Sequence, residues 1–132
     1  MLIKKVILKK DYIKNPENFW RKKINIPVVI MSGGLGKRLR PITNIIPKPL
    51  IPLGKSTVLE EIISSFRTNG FNNIFVSINY FSELISTYLA QKKIKNIKYI
   101  NENKKLGTIG AVGLIGKRFK NIIVTNCDVV KK

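Results

Sequence analysis

The feature that most constrains the fold is a regular alternation, from Pro27 onward, of short apolar runs with amphipathic stretches. Short apolar runs suit strands buried on both faces, and apolar residues spaced three and four apart suit helices that cover a sheet. The predicted order is strand, helix, strand, helix, strand, helix, strand, over residues 28–31, 57–68, 73–79, 82–91, 97–100, 108–116 and 121–125. Right-handed crossovers between such elements predict an α/β fold, a Rossmann-like three-layer sandwich with a mostly parallel sheet.

Two units are predicted along the chain. Residues 27–132 form the α/β domain, and residues 1–26 are an N-terminal arm of unknown role. Within the arm, Trp20 is expected to anchor an irregular segment or a short helix. In the domain, Asn69-Gly70 is expected to end the first helix, and Ser82 is expected to cap the second.

Composition limits the chemistry open to this chain. Its 132 residues include no His and one Cys, which excludes His-dependent triads, His zinc sites and disulfide frameworks. The formal net charge is +18, from 25 Lys+Arg against 7 Asp+Glu, and the cations are scattered in pairs. Sequence-specific nucleic-acid readers rely on Arg, which makes up 5 of these cations. We therefore expect solvated lysines and no nucleic-acid partner, and a phosphate-bearing ligand suits the charge.

No membrane segment is predicted. Residues 1–10 interrupt their apolar positions with lysines and so lack a signal-peptide core. The uncharged run at residues 24–36 contains Pro27 and three glycines and is too short to cross a bilayer. A cytoplasmic location is the expectation.

The strongest candidate site is the segment 32–48, SGGLGKRLRPITNIIPK, which directly follows the first predicted strand. Glycines let a backbone approach a ligand closely and point its N–H groups at an anion. Prolines exclude a long helix from the rest of the loop. The segment supplies three glycines and four cations, which are Gly33, Gly34, Gly36, Lys37, Arg38, Arg40 and Lys48. This density of cations favours a polyphosphate site over a plain strand-to-helix turn.

Three segments carry a resemblance to a known family. Residues 28–63, VVIMSGGLGKRLRPITNIIPKPLIPLGKSTVLEEII, resemble the signature GGxGTRLxPxTxxxPKPLxPxG of the sugar-1-phosphate nucleotidyltransferases. Residues 106–111, LGTIGA, resemble the LGTAGA element of that family, and residues 124–128, VTNCD, resemble the strand that ends in its metal-binding Asp. The segments occur in the family's order, and on them the chain is identified as a member.

The resemblance implies a reaction and a set of site residues. An oxygen of a sugar 1-phosphate would attack the α-phosphorus of a nucleoside triphosphate, and pyrophosphate would leave. Arg38 and Lys48 match the catalytic residues that contact the transferring phosphate, and Asp128 matches the residue that holds Mg²⁺. The expected nucleotide-binding residues are Gly33, Gly34, Gly36, Lys37, Glu102, Gly107 and Thr108.

The choice of base depends on Glu102. A carboxylate there can accept two hydrogen bonds from guanine, which favours a mannose-1-phosphate guanylyltransferase-like enzyme, with glucose-1-phosphate uridylyl- or thymidylyltransferases next. The alternative is an exposed Glu in a Lys-rich turn. Two positions depart from the family pattern, since Lys37 replaces the usual Thr and Thr57 replaces the usual Pro.

Length is the largest departure from the family. Its catalytic domains are longer, so this chain is expected to be the nucleotide-binding half, truncated after the metal-binding strand. The last strand would then lie beside an unfilled position in the sheet. The expected partners are a nucleoside triphosphate, a sugar 1-phosphate, and a second copy or a complementing chain. The alternative function is a non-catalytic nucleotide-binding module that needs a partner chain.

Overall fold

A five-stranded parallel sheet organises the molecule. The computed structural model describes residues 6–7, 24–34, 36–79, 81–101, 107–116 and 118–127. The strands of the sheet are β1 (Val6–Ile7), β2 (Val28–Met31), β5 (Ile74–Ile78), β6 (Ile97–Asn101) and β7 (Ile122–Asn126), in the order β1-β7-β2-β5-β6. A separate antiparallel hairpin joins β3 (Pro52–Leu53) to β4 (Ser56–Thr57), and the helices are α1 (Val58–Thr68), α2 (Ser82–Gln91) and α3 (Gly107–Gly116).

The two central strands are buried on both faces. Val28, Val29 and Ile30 of β2 are 0% exposed, and all of β5 is buried. In the parallel register, Val28 lies opposite Ile74 on one side and Ile123 on the other. Continuous apolar runs therefore became central strands, as predicted, because a strand with neighbours on both sides and helices on both faces has no solvent-facing side.

Helices cover the sheet on opposite faces, which confirms the three-layer α/β prediction. The larger apolar cluster joins α1 and α2 to alternate residues of the central strands, among them Ile30 and Val76. The smaller cluster joins α3, through Ala111, Val112 and Ile115, to the other face of the same strands. The predicted domain strands and helices lie within about one residue of the observed bounds.

A reciprocal cap opens α1. The amide of Thr57 donates to Glu60 Oε2 at 2.7 Å, and the amide of Glu60 donates to Thr57 Oγ1 at 3.4 Å. The Tyr88 hydroxyl, from α2, donates to Glu60 Oε2 at 2.9 Å and so links the two helices. Thr57 therefore starts the helix well in the place where Pro is usual in the family pattern.

Two sequence expectations are corrected by the fold. Ser82 does not cap α2, because Phe81 occupies the N-cap position with a left-handed backbone and makes no side-chain cap bond. The expectation that the last strand lies beside an unfilled position is wrong at Ile122 and Ile123. These residues lie opposite Val6 and Ile7 in a parallel pairing. An unpaired strand edge accepts any extended segment that reaches it, so a short strand preceding the domain can occupy it.

Apart from residues 6–7 and 24–26, the N-terminal arm, including Trp20, lies outside the described residues. Among the helices that the structure describes, none combines the length and the apolar character required of a membrane span.

Candidate phosphate-binding site

The ends of three neighbouring strands are tied together at one edge of the sheet. The amide of Ser32, directly after β2, donates to the Ser77 carbonyl oxygen in β5 at 3.1 Å, and the Ser32 hydroxyl donates to the same oxygen. On the other side, the amide of Cys127 donates to the Met31 carbonyl oxygen at 3.1 Å. Because the strands are parallel, their carboxyl ends meet here, where open α/β sheets bind ligands.

The first two glycines after β2 have different surroundings. A Cβ atom at Gly33 would lie 3.3 Å from the Asn79 Cβ, just past the end of β5, so the backbone passes close to that strand. Gly34 is exposed, and a Cβ atom there would have nothing within 4 Å. Gly34 therefore leaves open backbone at the edge of the sheet, as a ligand-binding turn requires.

Gly36 is held between two parts of the following loop. Its φ is +58°, and a Cβ atom there would lie 2.8 Å from Thr43 Cγ2 and 3.4 Å from Lys48 Cβ. Thr43 Oγ1 donates to the Gly36 carbonyl oxygen at 2.9 Å. The loop thus folds back so that Thr43 and Lys48 flank the glycine, and only a residue without a side chain fits between them.

Buried anchors fix the returning part of this loop to the domain. Lys48 is half-buried and opens a 3₁₀ turn, Lys48–Leu50, whose Pro49 and Leu50 are buried. Leu50 belongs to the larger apolar cluster. The amide of Val58 donates to the Ile51 carbonyl oxygen at 3.1 Å, which joins the loop to the start of α1. The backbone of Lys48 is therefore positioned by the core.

The charge of the loop has one sign. Residues 32–55 contain five cations and no acidic residue. Lys37, Arg38 and Arg40 are exposed, in and directly after the 3₁₀ turn Lys37–Leu39 that follows Gly36. Cationic side chains beside a glycine turn suit an anion with several oxygens, such as a polyphosphate.

The other predicted site residues are placed only in part. Gly107 and Thr108 form the first turn of α3, whose N-terminus lies at the same edge of the sheet because the helix runs back against the parallel strands. Glu102 and Asp128 lie outside the described residues. Asp128 directly follows Cys127 in the chain, and Cys127 is buried beside the end of β2.

The described residues supply cations to this site rather than carboxylates. Within the described ranges, no group of three or more His, Cys, Asp or Glu side chains could hold a metal ion. Glu60 belongs to the α1 cap, and Glu61 accepts a hydrogen bond from Ser56. Mg²⁺ at Asp128 therefore stays a prediction from the sequence.

Sequence reasoning missed Thr43, Ser32 and Ser77 as supports of the site. Thr43 is 6% exposed although it lies in a surface loop, and it was present in the signature as the Thr of PxT. Ser77 takes part through its backbone carbonyl oxygen, which its residue type does not signal, whereas Ser32 is 5% exposed and its buried hydroxyl makes the bond. Buried hydroxyls in such places are expected to make hydrogen bonds that fix neighbouring backbone.

The strand order, the glycine loop and its cations define a parallel α/β domain with a candidate anion site, and comparison with known proteins identifies the family. Residues 27–132 match the family model described as nucleotidyl transferase. The chain belongs to this family, in agreement with the resemblance drawn from its motifs.

Relatives of known function are similar over most of this chain. It is 31% identical over 105 residues to D-glycero-α-D-manno-heptose 1-phosphate guanylyltransferase of Aneurinibacillus thermoaerophilus, covering 77% of this chain and 46% of that protein. It is 31% identical over 109 residues to mannose-1-phosphate guanyltransferase of Schizosaccharomyces pombe, covering 77% of this chain and 30% of that protein.

A solved structure shows the same fold. HddC from Yersinia pseudotuberculosis, crystallised with GMP-PN, is 31% identical and superposes with a TM-score of 0.68, over 78% of this chain and 48% of that one. The chain thus spans less than half the length of each of these three proteins.

Proposed function

We propose that this chain is the nucleotide-binding part of a sugar-phosphate nucleotidyltransferase, which forms a nucleotide sugar and pyrophosphate from a nucleoside triphosphate and a sugar 1-phosphate. The observation that carries the proposal is the packing at Gly36, where Lys48 Cβ would lie 3.4 Å from an added Cβ atom. This contact brings the predicted catalytic lysine to the glycine loop, and Arg38 lies exposed two residues further along.

The chemistry needs positioning and charge neutralisation. A sugar-phosphate oxygen forms a bond to the α-phosphorus while the bond from that phosphorus to the bridging oxygen of pyrophosphate breaks. A side-chain nucleophile is not required, which suits a chain without His. The N–H groups of Gly33, Gly34 and Gly36 hold phosphate oxygens, and Lys37, Arg38 and Lys48 neutralise negative charge. Mg²⁺, held by Asp128, would supply further neutralisation on the phosphates.

The proposed nucleotide is GTP, with a mannose- or heptose-type sugar phosphate as its acceptor. Two supports are the guanylyltransferase relatives and Glu102, whose carboxylate can accept two hydrogen bonds from guanine. Gly107 and Thr108 would complete the base side of the site. Uridylyl or thymidylyl transfer to glucose 1-phosphate is the next candidate. The cytoplasmic location stays part of this proposal.

A second candidate is a nucleotide-binding module that obtains its sugar-binding part from another polypeptide segment. It is favoured by the share of the relatives' length that this chain matches, which is under half. Such a segment could be a complementing chain or a second copy of this one. Pyrophosphate release by the purified 132-residue chain with a sugar 1-phosphate would exclude this candidate.

The test of the proposed nucleotide is a thermal-shift series with GTP, UTP, dTTP, CTP and ATP, each with and without Mg²⁺. A ligand that binds only the folded state raises the free energy of unfolding, by about 2.7 kcal/mol at a concentration 100 times Kd, and so raises Tm. We expect a Mg²⁺-dependent increase that is largest for GTP. A sharp melting transition that none of the five triphosphates moves would contradict the proposal.

Arg38→Ala tests the site itself, and Arg118→Ala is its matched control. Both arginines are exposed, and Arg118 lies in the turn after α3, at the opposite edge of the sheet. We expect Arg38→Ala to weaken GTP binding about 10-fold or more, because a charge-assisted contact to phosphate is lost. Neither substitution should change the free energy of unfolding by more than about 0.5 kcal/mol. Equal affinity in the two variants would remove Arg38 from the site.

A further inference from the structure

Phe81 has a backbone conformation that its side chain does not favour. Its φ is +58° and its ψ is 30°, in the left-handed region, at the N-cap position of α2. Gly, Asn and Asp are preferred both in left-handed backbone and at N-caps, and Phe is preferred in neither. The amide of Ile85 donates to the Phe81 carbonyl oxygen at 3.0 Å, so the helix uses only the backbone of this residue.

The ring of Phe81 is not enclosed in the core. Phe81 belongs to neither apolar cluster, and 42% of it is exposed. Two other described residues that are not glycine have positive φ, Lys93 and Asn96, and both lie in the turn that follows α2. A strained, exposed aromatic residue at the ligand-binding edge of a sheet calls for a functional explanation, because the fold would be served better by Asn or Gly.

The strand order places Phe81 between the two halves of the proposed nucleotide site. β5 lies between β2, which leads into the glycine loop, and β6, which leads into residues 102–108. Phe81 follows β5 by three residues, and a Cβ atom added at Gly33 would lie 3.3 Å from the Cβ of Asn79, just past the end of that strand. Since neighbouring strands are about 4.8 Å apart, a nucleotide reaching from the glycine loop to the carboxyl end of β6 must pass over the end of β5.

We propose that the ring of Phe81 forms a wall of the nucleotide site and stacks against the base. The inference rests on the proposed function and adds a residue to it. Stacking on an aromatic ring strengthens the binding of any base, because every base has a π-face, and it contributes nothing to the binding of phosphates. Phe81 therefore supplies affinity, and selection among bases is left to Glu102 and the start of α3.

The test compares ligands with and without a base. Phe81→Asn removes the ring and relieves the backbone, whereas Phe81→Tyr keeps the ring. Leu84→Ala is the control, because Leu84 is 46% exposed on the same helix, one turn further on. GTP, UTP and inorganic tripolyphosphate, each with Mg²⁺, are titrated into the four proteins by calorimetry, and Tm is measured without ligand.

We expect Phe81→Asn to weaken binding of GTP and UTP about 10-fold, with tripolyphosphate affinity unchanged and Tm equal or higher. Phe81→Tyr and Leu84→Ala should bind like the parent. The proposal is overturned if Phe81→Asn binds both nucleotides like the parent, or if it loses tripolyphosphate affinity equally. If the parent protein binds tripolyphosphate at least as tightly as it binds GTP and UTP, the stacking role is overturned. If the parent protein binds none of the three ligands, the proposed function is overturned as well.

Discussion

Strand β2 and the loop that follows it are neighbours in sequence and opposites in environment. Ile30 in β2 is 0% exposed, whereas Ile45 in the loop is 77% exposed. The strand has parallel neighbours on both sides and helices on both faces, so each of its side chains is enclosed. The loop carries five cations and holds its shape with 3₁₀ turns and a few buried anchors.

The contrast separates the residues that position the candidate site from the residues that supply its chemical groups. The strand determines where the glycine turn leaves the sheet, and the loop supplies the charged groups that face solvent there. The loop packs on itself at Thr43 and Gly36, and it joins the apolar cluster of the strand through Leu50. A small number of buried contacts can thus place an exposed cationic loop over a rigid sheet edge.

The same substitution in the two regions should have very different effects on stability. Ile30→Ala should lower the free energy of unfolding by about 2–5 kcal/mol, because it leaves a cavity between the sheet and helices α1 and α2. Ile45→Ala should change it by less than about 0.5 kcal/mol, since that side chain is mostly in water already. Urea unfolding monitored by circular dichroism measures both.

Ile30→Val keeps this comparison measurable if Ile30→Ala does not fold. It should cost about 0.5–1.5 kcal/mol, still more than Ile45→Ala. Losses of similar size at positions 30 and 45 would show that the loop is packed as a core element, and the separation of position from chemistry would fail.

Much of the fold could be predicted from the sequence because its central strands are apolar runs that are buried on both faces. Apolar runs such as Val28–Met31 have no polar face, and a parallel sheet between helices is where such a run is stable. β1 could not be predicted, since two residues carry no periodicity and the pairing depends on a free edge elsewhere. Phe81 could not be predicted as the N-cap, because local preference favours Ser82 in that role.

The site was predictable in composition and not in arrangement. The glycines and cations of residues 32–48 are visible in the sequence, and their types indicate an anion. The packing of Thr43 and Lys48 around Gly36 is a contact across the loop, which no local pattern encodes. Ser77 likewise acts through a strand neighbour, with a carbonyl oxygen that accepts from Ser32.

Three glycine substitutions grade the steric demands of the loop. Gly36→Ala combines a φ of +58° with a 2.8 Å approach to Thr43 Cγ2, and should cost about 2–3 kcal/mol of unfolding free energy. Gly54 has a φ of +66° and open space around it, so Gly54→Ala should lower the free energy of unfolding by about 1 kcal/mol. Gly34→Ala has nothing within 4 Å and should leave stability unchanged. Urea unfolding should give this order.

Thr43→Ser tests the cause of the largest loss in this series. It removes Cγ2 and keeps the hydroxyl that donates to the Gly36 carbonyl oxygen. In the Gly36→Ala background it should therefore restore part of the stability, with the left-handed strain remaining. A double variant no more stable than Gly36→Ala alone would mean that the contact with Thr43 is not what excludes a side chain at position 36.

A smaller loss than that of Gly36→Ala is expected where the loop rejoins the domain, at the start of α1. Thr57→Ala removes the hydroxyl that accepts from the amide of Glu60, which is one of the two bonds of the reciprocal cap. It should lower the free energy of unfolding by about 1 kcal/mol, measured by urea unfolding. Ser82→Ala at the start of α2 is the matched control and should cost less than about 0.5 kcal/mol, because α2 has no side-chain cap bond.

This pair decides whether capping follows residue type or the direction from which the chain enters a helix. Thr57 approaches α1 in extended conformation, which aims its hydroxyl at the free amide of Glu60, whereas the chain enters α2 through the left-handed turn at Phe81. Equal losses at both positions would mean that Ser82 caps α2 in solution and that Phe81 is not held in the left-handed region. The strain argument for its exposed ring would then fail with it.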